Sequence, residues 1–486
     1  MLNISKIYIT LVLFSITTGL THISFAGPLK DYVDKPDPNF SYSLAKEVGT
    51  KGYTRYVLDL TAQSWKKGEV QPHLWRHWVT IIRPDVVKHD TALLFISGGN
   101  NKHIAPPSSV DDFIPMIAMQ TKSIVVVLQG VPNEPVKFID EDRTRTEDEI
   151  IAYSYNKFLE TQDPTWPLLC PMVKSTVRAM DSVQLFLDNE ASKPHRINKF
   201  VLAGASKRGW TTWLTATVDD RVSAIAPVVI DMLNLDEHVK QTMDYYGYYT
   251  EATQDYTEYG IQEKMDTPEA QALLKIVDPF EYRDILTMPK LVLLGSGDQY
   301  WTIDAANLYY PDLLEPKFIR YAPNADHGIG DSMPTVFALA NFYLSVINGW
   351  EMPKFDWEFE NDGSYTVTSQ TRPKSVKLWK AKSPNLDFRL KTIGSAWHSQ
   401  VLQDSGGNIY TGKVEKPEDG YVAYYIELTF GGNTGIDYSL TTLMNVPGKV
   451  ADEMPPAGKN LLLWLPLFAL IGLVVYLLKS VFKSVG

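Results

Sequence analysis

Apolar residues fall along this chain in short, dense runs separated by helical or turn-forming stretches. Four runs are almost purely apolar: Ala92–Ser97, Ile124–Leu128, Phe200–Ala203 and Ala224–Ile230; Leu291–Leu294 and Lys317–Tyr321 extend the set. A strand buried on both faces needs apolar side chains at successive positions, because neither face meets water. Ahead of these runs, Tyr53–Thr61 and Trp75–Arg83 cluster bulky residues like an antiparallel pair. Thr146–Glu160 and Lys174–Asn189 have helical spacing, and Pro334–Asn348 opens with proline at a suitable first helical position. Strands interleaved with helices predict an α/β fold with a mostly parallel sheet.

After Trp350 the texture changes. Phe355–Pro447 is rich in Thr, Tyr, Val and Trp, lacks a helical period, and carries turn signals at Asn361-Asp362-Gly363 and Gly406-Gly407-Asn408. About seven short strands in a segment of this length predict a smaller β-sandwich of immunoglobulin-like type. Val446–Lys459, with three prolines and two glycines, reads as a linker.

The two ends follow different patterns. Asn3 and Lys6 precede the apolar run Ile7–Ile16, and small residues stand at Ser24 and Ala26, the layout of a secretory signal peptide cleaved after Ala26. Leu461–Leu478 holds no charge and is long enough to span a bilayer core, with Lys479 and Lys483 following it. The expected layout is a signal peptide at 1–26, an α/β domain at 27–350, a β-domain at 351–447, a linker at 448–460, a membrane span at 461–478 and a cytoplasmic tip at 479–486. The body would then lie in the periplasm or outside the cell, anchored by one C-terminal helix.

Charge and cysteine content narrow the chemistry. The 486 residues carry a net −11, and −14 falls on residues 27–460 because Lys6, Lys479 and Lys483 lie outside that body. Nucleic acid is not an expected partner, since its phosphates require clustered cations. A single cysteine, Cys170, forms no internal disulfide or multi-thiolate metal site. No cofactor or metal is expected.

The segment Gly204-Ala205-Ser206-Lys207-Arg208-Gly209 follows an apolar strand and precedes a potential helix at Thr211–Val218. A serine at a sharp strand-to-helix turn, flanked by small residues, is a nucleophile elbow. The backbone N–H of Lys207 would face a developing oxyanion, and the turn Ser97-Gly98-Gly99-Asn100 offers Gly99 and Asn100 for a second donor. A second apolar strand ends in Gly295-Ser296-Gly297-Asp298, and a third leads to Asp326-His327-Gly328. Ser206, Asp298 and His327 thus follow the chain order of α/β-hydrolases, each just past a strand whose carboxyl end lies on one sheet edge. Serine needs a base, which His327 would supply, and Asp298 would orient the imidazole, with Asp231 in reserve.

Some sixty residues separate the strands ending at Ile230 and starting at Leu291, far more than an ordinary connection. This segment, about 232–288, is the expected helical cap. Tyr245, Tyr246 and Tyr249 stand there among acids, either to receive a cationic or amine-bearing group or to pack the cap onto the sheet. Glu134 is a further amine-binding candidate, and the acidic run Asp140–Glu149 reads as a solvated loop and helix start. Peptide cleavage is preferred over ester hydrolysis, because an acidic body and an acidic cap attract cationic peptides.

The stretch Gly204–Ala216 followed by Asp219–Val222, with Trp75–Trp78, Gly98-Gly99, Gly295–Asp298 and Asp326–Gly328, closely resembles the PhoPQ-activated pathogenicity-related protein family. The Ser-Lys-Arg-Gly-Trp-Thr segment at Ser206–Thr211 is the specific part. The resemblance implies an exported domain like that of dipeptidyl-peptidase-type serine hydrolases, followed by a β-rich domain. It also implies a link to virulence and to resistance against cationic antimicrobial peptides. Arg208 departs from the general Gly-x-Ser-x-Gly elbow, with Gly209 one place later. The functional expectation is a membrane-tethered serine hydrolase cleaving peptides; an esterase, or a non-catalytic binding or signalling protein on the same scaffold, is the alternative.

Overall fold

Alternation along the buried strands builds two cores at once. Leu93, Val125, Val201 and Leu291 face one side of a central sheet, and their neighbours Leu94, Val126, Leu202 and Val292 face the other. The computed structural model describes residues 27–189, 191–329 and 333–448. The expected signal peptide, residues 449–460 of the linker, and the span at 461–478 lie outside the described residues. Among the described residues, no helix is long and apolar enough to cross a membrane.

The sheet has nine strands: β1 (Ser41–Thr50), β2 (Tyr53–Ser64), β3 (Leu74–Pro84), β4 (Thr91–Ile96), β5 (Val125–Gln129), β6 (Lys199–Ala205), β7 (Val222–Val228), β8 (Lys290–Gly295) and β9 (Lys317–Ala322). Their order is β1-β2-β3-β5-β4-β6-β7-β8-β9. The pairs β1/β2, β2/β3 and β3/β5 are antiparallel, and every later pair is parallel. The predicted antiparallel pair is β2 with β3, and the six apolar runs are β4 to β9. The edge strand β1 was not foreseen, because its side chains are mostly exposed and leave no apolar alternation to read.

Helices α1 (Phe113–Thr121), α2 (Asp148–Thr161), α3 (Leu169–Asn189), α4 (Lys207–Val218) and α7 (Met333–Asn348) cover the sheet, with α5 (Leu235–Tyr246) and α6 (Pro268–Val277) between β7 and β8. Ile150, Val173 and Trp213 pack on one face, while Ile117, Phe342 and Tyr343 pack on the other. The chain is therefore an α/β fold around a large mixed sheet, with parallel strands where the predicted chemistry sits.

Seven further strands follow: β10 (Phe355–Phe359), β11 (Ser364–Ser369), β12 (Ser375–Ser383), β13 (His398–Val401), β14 (Ile409–Lys413), β15 (Tyr421–Phe430) and β16 (Tyr438–Thr441). They form sheets β10-β11-β14 and β13-β12-β15-β16. The rings of Phe359 and Tyr365 in the first sheet pack on Tyr424 in the second. The fourth strand pairs with the third rather than the fifth, which departs from the constant-type immunoglobulin arrangement.

The β-domain is welded to the α/β domain. Arg320 of β9, 2% exposed, meets Ser439 and lies 3.5 Å from Glu427, while the Tyr321 and Tyr425 rings stand 5.5 Å apart. Removing a partner from a buried ion pair strands the remaining charge. Arg320→Ala is expected to lower stability by about 3 kcal/mol, read by urea denaturation; an unchanged midpoint would show that Glu427 finds solvent.

Candidate functional site

β6 runs directly into Ser206, and α4 begins at the next residue. Ser206 has φ 59° and ψ −129°, a left-handed backbone that a non-glycine residue adopts only under constraint. That constraint comes from close approach. A Cβ on Gly204 would stand 2.6 Å from the Arg208 carbonyl oxygen; one on Gly209 would stand 2.9 Å from the Gly204 oxygen and 2.8 Å from Ile230 Cγ2. Gly209 thus serves, one position later, the packing role of the second glycine in Gly-x-Ser-x-Gly.

The two cations beside the serine are tied down. Lys207 Nζ pairs with Glu147 and lies 3.5 Å from Asp148. Arg208 Nη2 lies 2.7 Å from Glu147 and 3.7 Å from Glu134, and its Nε donates to the Val131 carbonyl at 2.6 Å. The Glu147 N–H donates to Glu134 Oε2 at 2.6 Å. Glu147 has φ 52° and ψ −128°, so a second left-handed residue braces the first. Burial and the hydrogen-bonded Glu147 carboxylate push Glu134 up to about 7. Burial opposes ionisation of Glu147 too, but Lys207 and then Arg208 outweigh it and hold its carboxyl low.

At the end of β8 a Cβ on Gly295 would stand 2.5 Å from the Asp326 carbonyl oxygen, so only glycine lets the loop after β9 cross there. That crossing brings His327 Nδ1 to 2.8 Å from Asp298 Oδ2. Asp298 Oδ1 accepts the Tyr300 N–H at 3.0 Å, and the Tyr300 ring centroid lies 4.4 Å from the imidazole. His327 Nε2 is buried and has no hydrogen-bond partner among the described residues. Ser206, Lys207 and His327 line one pocket of about 90 Å³, whose other walls include Trp210, Leu235, Tyr249, Met265 and Leu274. The segment between β7 and β8 is therefore a roof over this pocket.

A loop of the β-domain braces both turns. Leu390 N–H donates to the Gly297 carbonyl at 2.9 Å, and Trp397 Nε1 donates to the Ser296 carbonyl at 3.2 Å. Asn324 and Trp397 exchange hydrogen bonds of 3.0 and 2.9 Å, three residues before His327.

Other expected site residues lie elsewhere. Gly99 and Asn100 line a separate cleft with Arg76, Trp78 and Lys102, and the Arg208 guanidinium packs on Gly98. Neither Gly99 nor Asn100 is among the residues that line the Ser206 pocket. Glu134 is buried in the ion cluster, already held by Glu147 and Arg208, rather than open to a ligand amine. Tyr245 donates to Asp304 at 2.8 Å, and Tyr246 donates to the Trp301 carbonyl at 3.3 Å under the Arg389 guanidinium. Both pack the roof; only Tyr249 of the three tyrosines lines the pocket. Asp231 is buried, and burial pushes it up to about 8, while Asp298 holds the imidazole. Glu147 and Asp148 were read as a solvated helix start. Glu147 precedes the helix and Asp148 opens it, and neither position signals in the sequence a pairing with cations that stand 60 and 61 residues after Glu147.

The model of the PhoPQ-activated pathogenicity-related protein family matches residues 29–389. Autocrine proliferation repressor protein A of Dictyostelium discoideum is 31% identical over 449 residues, spanning 88% of this chain and 89% of that one. Among solved structures, acetyl xylan esterase 1 from Thermoanaerobacterium sp. JW/SL YS485 is 15% identical with a TM-score of 0.46, covering 66% of this chain and 92% of that one. A glucuronoyl esterase from Solibacter usitatus is 11% identical with a TM-score of 0.38, over 67% of this chain and 91% of its own.

The ion cluster has a pH signature. Glu134 ionises near 4.5 when unfolded and near 7 when folded, so the folded chain holds more protons between those values, and stability falls as pH rises through that window. Glu134→Gln removes this titration while keeping an acceptor for the Glu147 N–H. Relative to the parent, the variant is expected to gain about 1–3 kcal/mol between pH 5 and pH 8 in urea denaturation. Parallel stability curves over that range would refute the assignment.

Proposed function

This chain belongs to the PhoPQ-activated pathogenicity-related protein family, and from its geometry we propose that it is a serine hydrolase acting through an acyl-enzyme. One observation carries the reading: an elbow serine and an imidazole with an unpaired Nε2 line a single pocket, and a carboxylate binds the opposite ring nitrogen. The strand order and the positions of the three residues past β6, β8 and β9 are those of the α/β-hydrolase arrangement.

In the proposed reaction Ser206 Oγ attacks the substrate carbonyl while His327 Nε2 takes its proton. Asp298 keeps the remaining ring proton on Nδ1 and stabilises the imidazolium. The Lys207 N–H, at the start of α4, is the proposed oxyanion donor. His327 then passes its proton to the leaving group, and water, activated by the same base, releases the acyl group and restores Ser206. Tyr300 against the imidazole and the roof over the pocket limit water, which strengthens each of these interactions.

The pocket's largely apolar walls support an acyl group or side chain of apolar body, on an ester or an amide. The roof acids that would attract cationic peptides are partly neutralised, since Lys240 engages Asp236 and Glu237 and Lys391 engages Glu251. Export and a C-terminal anchor remain part of the proposal, on the pattern of residues 1–26 and 461–478. A second reading, a signalling protein without turnover, is favoured by the name of the Dictyostelium relative alone.

A fluorophosphonate probe separates the two. Covalent labelling that Ser206→Ala abolishes is expected, with His327→Ala reducing turnover of p-nitrophenyl esters at least a thousandfold; a folded protein that takes no label would leave the signalling reading. Matched acyl esters and aminoacyl amides then rank ester against peptide cleavage.

A further inference from the structure

Two polar side chains of the roof point to a feature of the substrate beyond its apolar body. His238 of α5 and Gln262, in the turn before α6, both line the Ser206 pocket and are 4% and 8% exposed. His238 Nε2 and Gln262 Oε1 are buried without a hydrogen-bond partner among the described residues. Buried polar atoms left unpaired cost free energy, so their placement in a pocket is informative.

Their chemistry is defined by their neighbours. Burial pushes His238 down to about 3, and the backbone of Leu233 bonds the ring. The imidazole is therefore neutral at physiological pH, its one N–H is used at the Leu233 carbonyl, and Nε2 is an acceptor. Gln262 Nε2 donates to Thr257 Oγ1 at 3.1 Å, while that hydroxyl donates to the Thr253 carbonyl at 3.2 Å. The hydroxyl is thus an acceptor toward Gln262, which fixes the amide orientation and leaves Oε1 as a second acceptor. Trp301 Nε1, whose ring lies 6.0 Å from His238, is an unpaired donor on a third side chain lining the pocket. Asp148, the carboxylate of the pocket wall, is already engaged by Lys207 and Tyr256.

We infer that His238 and Gln262 determine specificity by accepting hydrogen bonds from a neutral donor, a hydroxyl or an amide N–H, carried by the substrate's otherwise apolar acyl group. A cation is disfavoured, because both acceptors are neutral and the walls around them are largely apolar. A substrate lacking the donor leaves the acceptors unpaired and is rejected, whereas an added methylene would matter much less. The acyl group and the kinetic test rest on the hydrolase reading; the acceptors' demand for a donor in the pocket does not.

The test compares p-nitrophenyl esters of ω-hydroxyalkanoic and ω-acetamidoalkanoic acids, six to eight carbons long, with their unsubstituted alkanoyl counterparts. In the parent chain, kcat/KM for at least one polar ester is expected to exceed its counterpart at least tenfold. Gln262→Met and His238→Phe are each expected to bring that ratio to within about threefold of unity, chiefly by improving the unsubstituted ester. The hydroxyl and acetamido series distinguish the two donors. No preference in the parent, or a ratio that both variants leave intact, overturns the inference. Gln262→Met serves if His238→Phe fails to fold. Binding of methyl 6-hydroxyhexanoate and methyl hexanoate to Ser206→Ala, followed by tryptophan fluorescence, needs no turnover. Discrimination there without fluorophosphonate labelling of the parent would sink the hydrolase reading and keep this one; labelling without discrimination in either assay would do the reverse.

Discussion

A serine held at φ 59° costs about 1–3 kcal/mol relative to an ordinary backbone, so the rest of the site depends on what keeps it there. Two constraints act from opposite sides. Gly204 and Gly209 let β6 and α4 meet at a distance that no side chain would allow. Glu147 then holds Lys207 and Arg208, the two residues after the serine, from the start of another helix. Because Glu147 is itself left-handed, the elbow and the head of α2 are strained together, and each relieves the charge the other buries. The arginine in place of the usual glycine is thus part of the support for the turn.

The same dependence reaches the β-domain. The acid's turn and the histidine's loop cross at Gly295, and both are hydrogen-bonded by the segment between β12 and β13 through Leu390 and Trp397. From this segment Arg389 lies over the Tyr246 ring, its Nη2 donates to the Tyr248 hydroxyl, and Lys391 pairs with Glu251. One loop therefore braces the turn before Asp298, the loop before His327 and the roof. With Arg320 buried against β15 and β16, the second domain is structurally continuous with the first, and the placement of Asp298 against His327 is a property of both.

What the sequence made legible follows from how locally each feature is determined. Central strands declared themselves because burial on both faces requires apolar runs, whereas β1, exposed and held by main-chain pairing, left no such trace. Ser206, Asp298 and His327 were readable because each stands just past a strand, and parallel strands end at one edge. The second oxyanion donor was not: Gly99 and Asn100 follow an apolar strand in the sequence, but they line a different cleft from Ser206. Glu134 and Glu147 stand 13 residues apart and meet Arg208 another 61 along. Pairings at that separation arise from packing, and charge patterns alone cannot distinguish a solvated acid from one that neutralises a buried cation.

The roof shows how long-range and short-range electrostatics divide their work. The net negative charge on the body acts over roughly a Debye length and bears on which molecules approach. Inside the pocket its influence is limited, because Asp148 engages Lys207 and Tyr256 and the remaining walls are mainly apolar. For the proposed reaction, discrimination then falls to contacts that formal charge does not report: the volume enclosed by Leu235, Met265 and Leu274, and the unpaired acceptors of His238 and Gln262. Burial that keeps His238 neutral also makes its lone pair a strong demand on a ligand, since low dielectric raises both the value of a hydrogen bond made and the penalty of one missed.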